Sequence, residues 1–242
     1  MNISLLALTT ACRLRHCRTN IVRQFGKVSV EVGPIPYAAT FGFASQQRSI
    51  AEMVAAMGSH QYPTRNMSTS TAPPTVFASL RKDHPLMPLV QVSCVAGARS
   101  RGLEAHRTEP ATWVGEQVPH ALQPSVTNIT SMKTQFYIGD RGTGAPPHFH
   151  RAAWNALVHG KKLWALWPPP QAVYSTRHPA SFMPAPQAPR QSLAWASAQI
   201  ECVQHAGDVL FVPDAWGHAV LNVEPSVGFA QEVEWGGSEF SL

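Results

Sequence analysis

The sequence predicts a mainly β fold: a double-stranded β-helix, or jelly roll, flanked by helices from the N-terminal half. Three observations carry that expectation. From Thr134 to Trp235, short runs rich in aromatic and β-branched residues follow one another, a composition that suits a pleated, half-buried surface. Gly- and Pro-containing turns punctuate those runs and leave little room for helix between them. Twenty-one prolines in 242 residues favour short strands and loops, because proline has no amide proton to give a helix or a ladder.

The whole-chain numbers narrow the function classes. A single domain of this length buries roughly three quarters of its unfolded surface, so it needs no staples. The four cysteines (Cys12, Cys17, Cys94, Cys202) form no CxxC pair and read as free thiols. The formal charge of +5 is scattered, with no basic run and no Arg/Lys stripe interleaved with aromatics. There is thus no specific nucleic-acid signal, whereas an anionic small molecule is compatible as ligand. No apolar run approaches the roughly 18 residues of a membrane span.

Along the chain, residues 1–27 are either a targeting segment or a folded basic helix. An apolar start runs into "RLRHCRTNIVRQFGK", and the first acidic residue is Glu31. The compartment stays open between cytoplasm or nucleus, the secretory lumen and the mitochondrion. Residues 28–130 form a wrapping region with loops. Within it, residues 28–32 alternate like a strand, and Ser49 caps a helix over "IAEMVAAM" that Gly58 stops. Residues 59–74 read as a loop. Residues 91–133 carry little pattern and read as a poorly ordered or inserted segment. Residues 131–242 form the barrel core, with strands at TQFYIG, WNALVH, KKLWALWP, IECVQH, VLFVP, HAVLNV and SVGFAQEVEW and a turn at "GDRGTGAPP". The proline-rich stretch 168–199 is a long connection of the kind that serves as a lid or binding loop.

The chemistry concentrates in "HFH". Residues i and i+2 of a strand face one side, so His148 and His150 can both point into the barrel mouth. His218 begins a later strand that can neighbour theirs at one rim. Three neutral imidazoles converging there would bind Fe(II), Zn, Cu or Mn. The plainer alternative for each is a satisfied polar residue near a barrel end.

Taken together, "GTGAPPHFHRAAWNALVHGKKLWALWPPP" and "HAGDVLFVPDAWGHAVLNV" resemble the jumonji C (JmjC) domain of the cupin superfamily of Fe(II)- and 2-oxoglutarate-dependent oxygenases. The likeness is nearest the jumonji lysyl hydroxylase (phosphatidylserine-receptor-like) and luminal jumonji-domain branch, and it covers about Thr134 to Trp235. The resemblance implies metal ligands at His148, His150 and His218. It implies a co-substrate site with Asn155 and with Lys162, two residues after the hairpin glycine, where a buried cation would meet the distal carboxylate of 2-oxoglutarate. It also implies a protein or peptide substrate. Lys162, Trp164 and Leu166 share one face of their strand, expected to point inward. Asp208 and Pro213 are expected to form turns, and Trp154, Trp164, Trp167 and Trp216 to pack.

Two positions depart from the family's pattern. His150 stands where an Asp or Glu is usual. Ala145 stands where a co-substrate-binding threonine is often found, and Thr143 could substitute only if the loop bends. Three readings follow: a JmjC-type oxygenase hydroxylating a protein side chain, a JmjC-like module that binds a protein without turnover, and a three-histidine cupin metalloenzyme with another co-substrate.

Overall fold

The computed structural model describes residues 14–36, 38, 42–58, 75–80, 129–179, 198 and 200–235. Two helices, α1 (Leu14–Phe25) and α2 (Ile50–Ala56), accompany eleven strands among these residues. The strands are β1 (Ser29–Gly33), β2 (Gln46–Ser49), β3 (Thr75–Leu80), β4 (Ile129–Gly139), β5 (Gly144–His148), β6 (Ala153–His159), β7 (Lys161–Trp167), β8 (Ile200–His205), β9 (Val209–Val212), β10 (Gly217–Asn222) and β11 (Ser226–Trp235).

The strands form two antiparallel sheets, ordered β2-β1-β3-β4-β11-β6-β9 and β5-β10-β7-β8. From β4 onward the chain keeps crossing between them, which is the winding of a double-stranded β-helix. The fold is therefore the jelly-roll, cupin-like one that the strand pattern predicts. Among the described residues the sheets face each other as a sandwich, and no ladder closes them into one continuous barrel.

Alternation along the strands builds two apolar layers. On the outer face of the large sheet, Phe136, Ile138, Ala156, Val227 and Phe229 pack against helix residues including Ile21, Ile50 and Met53. Each of the larger side chains contributes roughly 1.5–3 kcal/mol on burial. Helix α2 starts where predicted: the Ser49 hydroxyl accepts from the Glu52 amide, and the Glu52 carboxylate accepts from the Ser49 amide. This reciprocal box satisfies two otherwise orphaned N–H groups. Between the sheets, Trp164 and Leu166 of β7 meet Val220 of β10 and Val212 of β9.

Several expectations need correction. "GDRGTGAPP" is not all turn: Gly144–His148 form β5. Its two prolines hide the strand, yet β5 lies at a sheet edge, the position where a missing N–H costs no ladder bond. The polar β2 and the isolated β3 escaped the pattern, and residues 129–133 begin β4 rather than ending a featureless segment. The loop expected at 59–74 and the segment 91–128 lie outside the described residues. Of the proline-rich connection, Pro169–Gln171 form a 3-10 turn and 172–179 are described, whereas 180–197 lie outside. For residues 1–27, the structure describes a helix at Leu14–Phe25.

Candidate metal centre

His148 is the last residue of β5, and its direct partner across the ladder is His218 of β10. The antiparallel pairing brings the end of one strand to the start of the other, so the two rings stand 4.1 Å apart between centroids. His150 arrives differently from the expected pleat alternation, because β5 has ended two residues earlier. It sits in the loop before β6, where its carbonyl accepts from the Ala215 amide at 3.0 Å and Arg151 pairs with Asp214 at 3.7 Å. Its ring nevertheless joins the others, 5.4 Å from His148 and 4.7 Å from His218.

One donor atom from each histidine lies within 4.8 Å of the other two. Their protonation is set by the backbone. Nδ1 of His148 faces the Pro146 carbonyl at 2.7 Å, that of His150 the Arg151 carbonyl at 2.7 Å, and that of His218 the Trp216 carbonyl at 3.0 Å. A carbonyl can only accept, so each Nδ1 carries the proton and each neutral ring keeps its Nε2 lone pair for another use. This is how metal-binding imidazoles are oriented. Burial, reinforced by the neighbouring His150, pushes the His148 pKa down to about 4. Burial also lowers that of His218 well below the usual range. Imidazoles so aimed fit a divalent metal, and among the described residues no carboxylate belongs to the cluster.

The same face of the small sheet leads inward from the metal end. Strands β7 and β10 pair Leu166 with His218, Trp164 with Val220, and Lys162 with Asn222. Lys162 thus lies four residues deeper, roughly 13 Å along the strands at about 3.3 Å per residue. It is buried as predicted, together with Trp164 and Leu166, whereas Lys161 turns outward to Glu224. The Lys162 ammonium sits 3.3 Å from the centroid of the Tyr137 ring. The Tyr137 hydroxyl shares its one proton between Asn155 Oδ1 at 2.6 Å and the Ala156 carbonyl at 3.1 Å. Burial drives the Lys162 pKa well below that of an ordinary lysine and raises that of the Tyr137 hydroxyl far above its usual value.

One cavity is lined by His148, His150, His218, Asn155 and Lys162. Ala145 also lines it, but Thr143 does not. The Thr143 side chain is fully buried, donating to the Asp140 carbonyl at 2.7 Å and accepting from Asn222 Nδ2 at 2.8 Å. The tryptophans pack: Trp164 donates to Gln204 at 2.9 Å and lies against His218 at 6.0 Å, and Trp154 meets Phe229 edge-on. Asp208 and Pro213 make their turns, through the His205 and Trp216 amides. The sequence reading missed Tyr137 and Asn222. The period-2 rule, applied to "TQFYIG" from Gln135 and to "HAVLN" from His218, would have placed both on the inner face.

The chain has relatives among known proteins. The chain is 32% identical over 108 residues to human JmjC domain-containing protein 8, covering 40% of this chain and 37% of that protein. It is 33% identical over 108 residues to the Arabidopsis thaliana arginine-specific demethylase JMJ22, covering 39% and 21%. It is 31% identical over 101 residues to the chicken 2-oxoglutarate and iron-dependent oxygenase JMJD4, covering 38% and 24%. The chain therefore spans between about a fifth and little more than a third of the length of these relatives. Among solved structures, the ribosomal oxygenase YcfD of Escherichia coli, in complex with cobalt and 2-oxoglutarate, aligns over 90% of this chain and 43% of its own, at 10% identity and a TM-score of 0.43. A family model described as a cupin-like domain matches residues 43–231. Two antiparallel sheets, a histidine cluster at their strand ends and a family match across most of its length place this chain in the cupin-like domain family, as a relative of the JmjC-domain proteins.

Proposed function

We propose that the protein is an Fe(II)- and 2-oxoglutarate-dependent oxygenase that hydroxylates a side chain of a protein or peptide. The observation that carries this reading is one cavity with two unlike ends. Three Nε2 atoms are freed for a metal at the rim, and a buried ammonium without a described carboxylate partner waits deeper inside. That pairing suits a ligand that chelates a metal with one end and presents a carboxylate at the other. Names of relatives, such as the chicken 2-oxoglutarate and iron-dependent oxygenase, support it.

In this reading His148, His150 and His218 hold the iron and leave one side open. Bound there with the co-substrate, iron(II) supplies oxygen activation. Lys162 grips the distal carboxylate through a charge-assisted hydrogen bond. Asn155 positions Tyr137 by accepting its hydroxyl proton, and Tyr137 in turn keeps the ammonium over its ring. Trp164 and Val220 line the cavity between the two ends and give it an apolar wall. Anaerobic reconstitution with Fe(II) and 2-oxoglutarate, followed by oxygen, should yield succinate. Production undiminished in a His148→Ala variant would overturn the reading.

A second reading, a JmjC-like module that binds a protein without turnover, draws on Ala145 and His150. Ala145 offers the cavity no hydroxyl, and the Thr143 hydroxyl is engaged elsewhere. Micromolar 2-oxoglutarate binding that needs Lys162 would exclude it.

A further inference from the structure

At the deep end of the cavity one polar atom has nothing to do. Asn222 is 4% exposed and lines the cavity, yet its Oδ1 is buried without a hydrogen-bond partner. An unmatched buried carbonyl is costly, and here its direction is enforced. The Thr143 hydroxyl gives its only proton to the Asp140 carbonyl at 2.7 Å. Towards Asn222 it can therefore only accept, which it does from Nδ2 at 2.8 Å. A flip of the amide would require the Thr143 hydroxyl to give up the Asp140 carbonyl, so in this arrangement Oδ1 stays turned away from Thr143. Thr143 is itself fixed at the turn before β5, where its amide donates to Asp140 and its carbonyl accepts from the Asn222 amide.

The residue directly across the ladder from Asn222 is Lys162. One strand thus offers a buried acceptor without a donor, and its neighbour a buried donor without a described carboxylate.

We infer that Asn222 is the positioning residue for Lys162: its amide oxygen, held in one orientation by Thr143, takes one ammonium proton when an anionic ligand recruits the lysine from the Tyr137 ring. This rests on the reading of Lys162 as a carboxylate holder. An ammonium has three donors, and a carboxylate at the cavity floor uses only part of them. An acceptor from β10 fixes the remainder and aims the charge. Thr143 then serves the co-substrate at one remove, through Asn222 rather than by contact.

The test is calorimetric titration of 2-oxoglutarate into protein loaded anaerobically with Co(II), alongside a separate Co(II) titration. Lys162→Ala should abolish 2-oxoglutarate binding. Asn222→Ala should weaken it at least tenfold with Co(II) affinity unchanged. Thr143→Val, which leaves Asn222 in place but frees its amide to turn, should weaken it severalfold. Asn222→Asp sets an anion opposite the lysine, and should weaken dicarboxylate binding more than Asn222→Ala does. Wild-type affinity in both Asn222→Ala and Thr143→Val overturns the inference and leaves the carboxylate reading standing. Binding indifferent to Lys162→Ala overturns both.

Discussion

The Lys162 ammonium and the Tyr137 ring, 3.3 Å apart, form the charged end of an otherwise neutral cavity. A cation over a desolvated ring gains about 2 kcal/mol, less than the several kcal/mol that taking an ion out of water costs. The contact therefore mitigates the burial of Lys162 without offsetting it, which is why its pKa falls. A charge held at such a cost makes sense when a ligand supplies the missing anion.

Lys162→Met should accordingly separate stability from function. Methionine fills a similar volume without the charge, and replacing buried ionic groups with apolar ones of like size is often neutral or stabilising by about 1–4 kcal/mol. Urea unfolding of the ligand-free variant should show equal or higher stability, and calorimetry should show no 2-oxoglutarate binding. A marked loss of stability would mean that the ammonium is already satisfied in the free protein.

The same lysine predicts a proton linkage. Its folded pKa is lowered, so between that value and about 10.4, the unfolded lysine's, the unfolded chain holds the extra proton. Stability of the ligand-free protein should rise with pH across that window. A dicarboxylate favours the charged form and raises the lysine's pKa, so binding within that window should take up a proton and weaken as pH rises. Calorimetry in buffers of different ionisation enthalpy measures the uptake directly, and a value of zero in the Lys162 window would contradict the buried-cation account.

Remote from the histidine cluster in sequence, His178 gives an acid-side test. It is 1% exposed, and burial pushes its pKa down to about 4. Unfolded, it titrates near 6.5, so its neutral form is favoured by folding. Its contribution is intact above about pH 6.5 and is lost as pH falls towards 4, on the order of 3 kcal/mol at full protonation. His178→Gln should flatten the pH dependence of urea stability over that interval relative to wild type.

What the sequence made legible follows from what periodicity can carry. Lys162, Trp164 and Leu166 announce their shared face because β7 is regular, and the Ser49–Glu52 box marks a helix start with four residues. The edge strand β5 was hidden because Pro146 and Pro147 are turn signals everywhere except at such an edge. His150 was grouped correctly with the cluster but for the wrong reason. Its place comes from loop contacts with Arg151 and Ala215, which no strand pattern encodes. Thr143 shows a different limit: a hydroxyl two residues from the expected position cannot be told, from spacing, to be turned towards Asp140 and Asn222.

Gly228 tests how tightly the Tyr137 floor is built. It pairs with Tyr137 across β11 and β4, and a Cβ there would collide with the Tyr137 hydroxyl and the Ala156 carbonyl. Gly228→Ala must displace the ring on which Lys162 rests. Overpacking of this kind costs about 1–3 kcal/mol, and the displacement should also weaken 2-oxoglutarate binding. Wild-type urea stability together with wild-type affinity would show that the ring has room the structure does not give it.

His150→Asp bears on the departure that most affects chemistry. The backbone at 150 is held through its carbonyl, by the Ala215 amide, so changing the side chain leaves that anchor intact. Aspartate is shorter than histidine, yet a carboxylate is an effective ligand for Fe(II) and Co(II). Metal binding should survive, in contrast to His148→Ala and His218→Ala, which remove ligands fixed on paired strands. The new negative charge beside the metal opposes an anionic co-substrate. At an effective dielectric near 20, a unit charge a few ångströms away is worth a few kcal/mol, so 2-oxoglutarate affinity should fall roughly ten- to a hundred-fold. Co(II) absorption titrations and calorimetry separate the two effects. If His150→Asp abolishes metal binding as completely as His218→Ala, the loop is built for the reach of an imidazole, and the three-histidine set is a requirement of this backbone rather than an exchangeable variation on it.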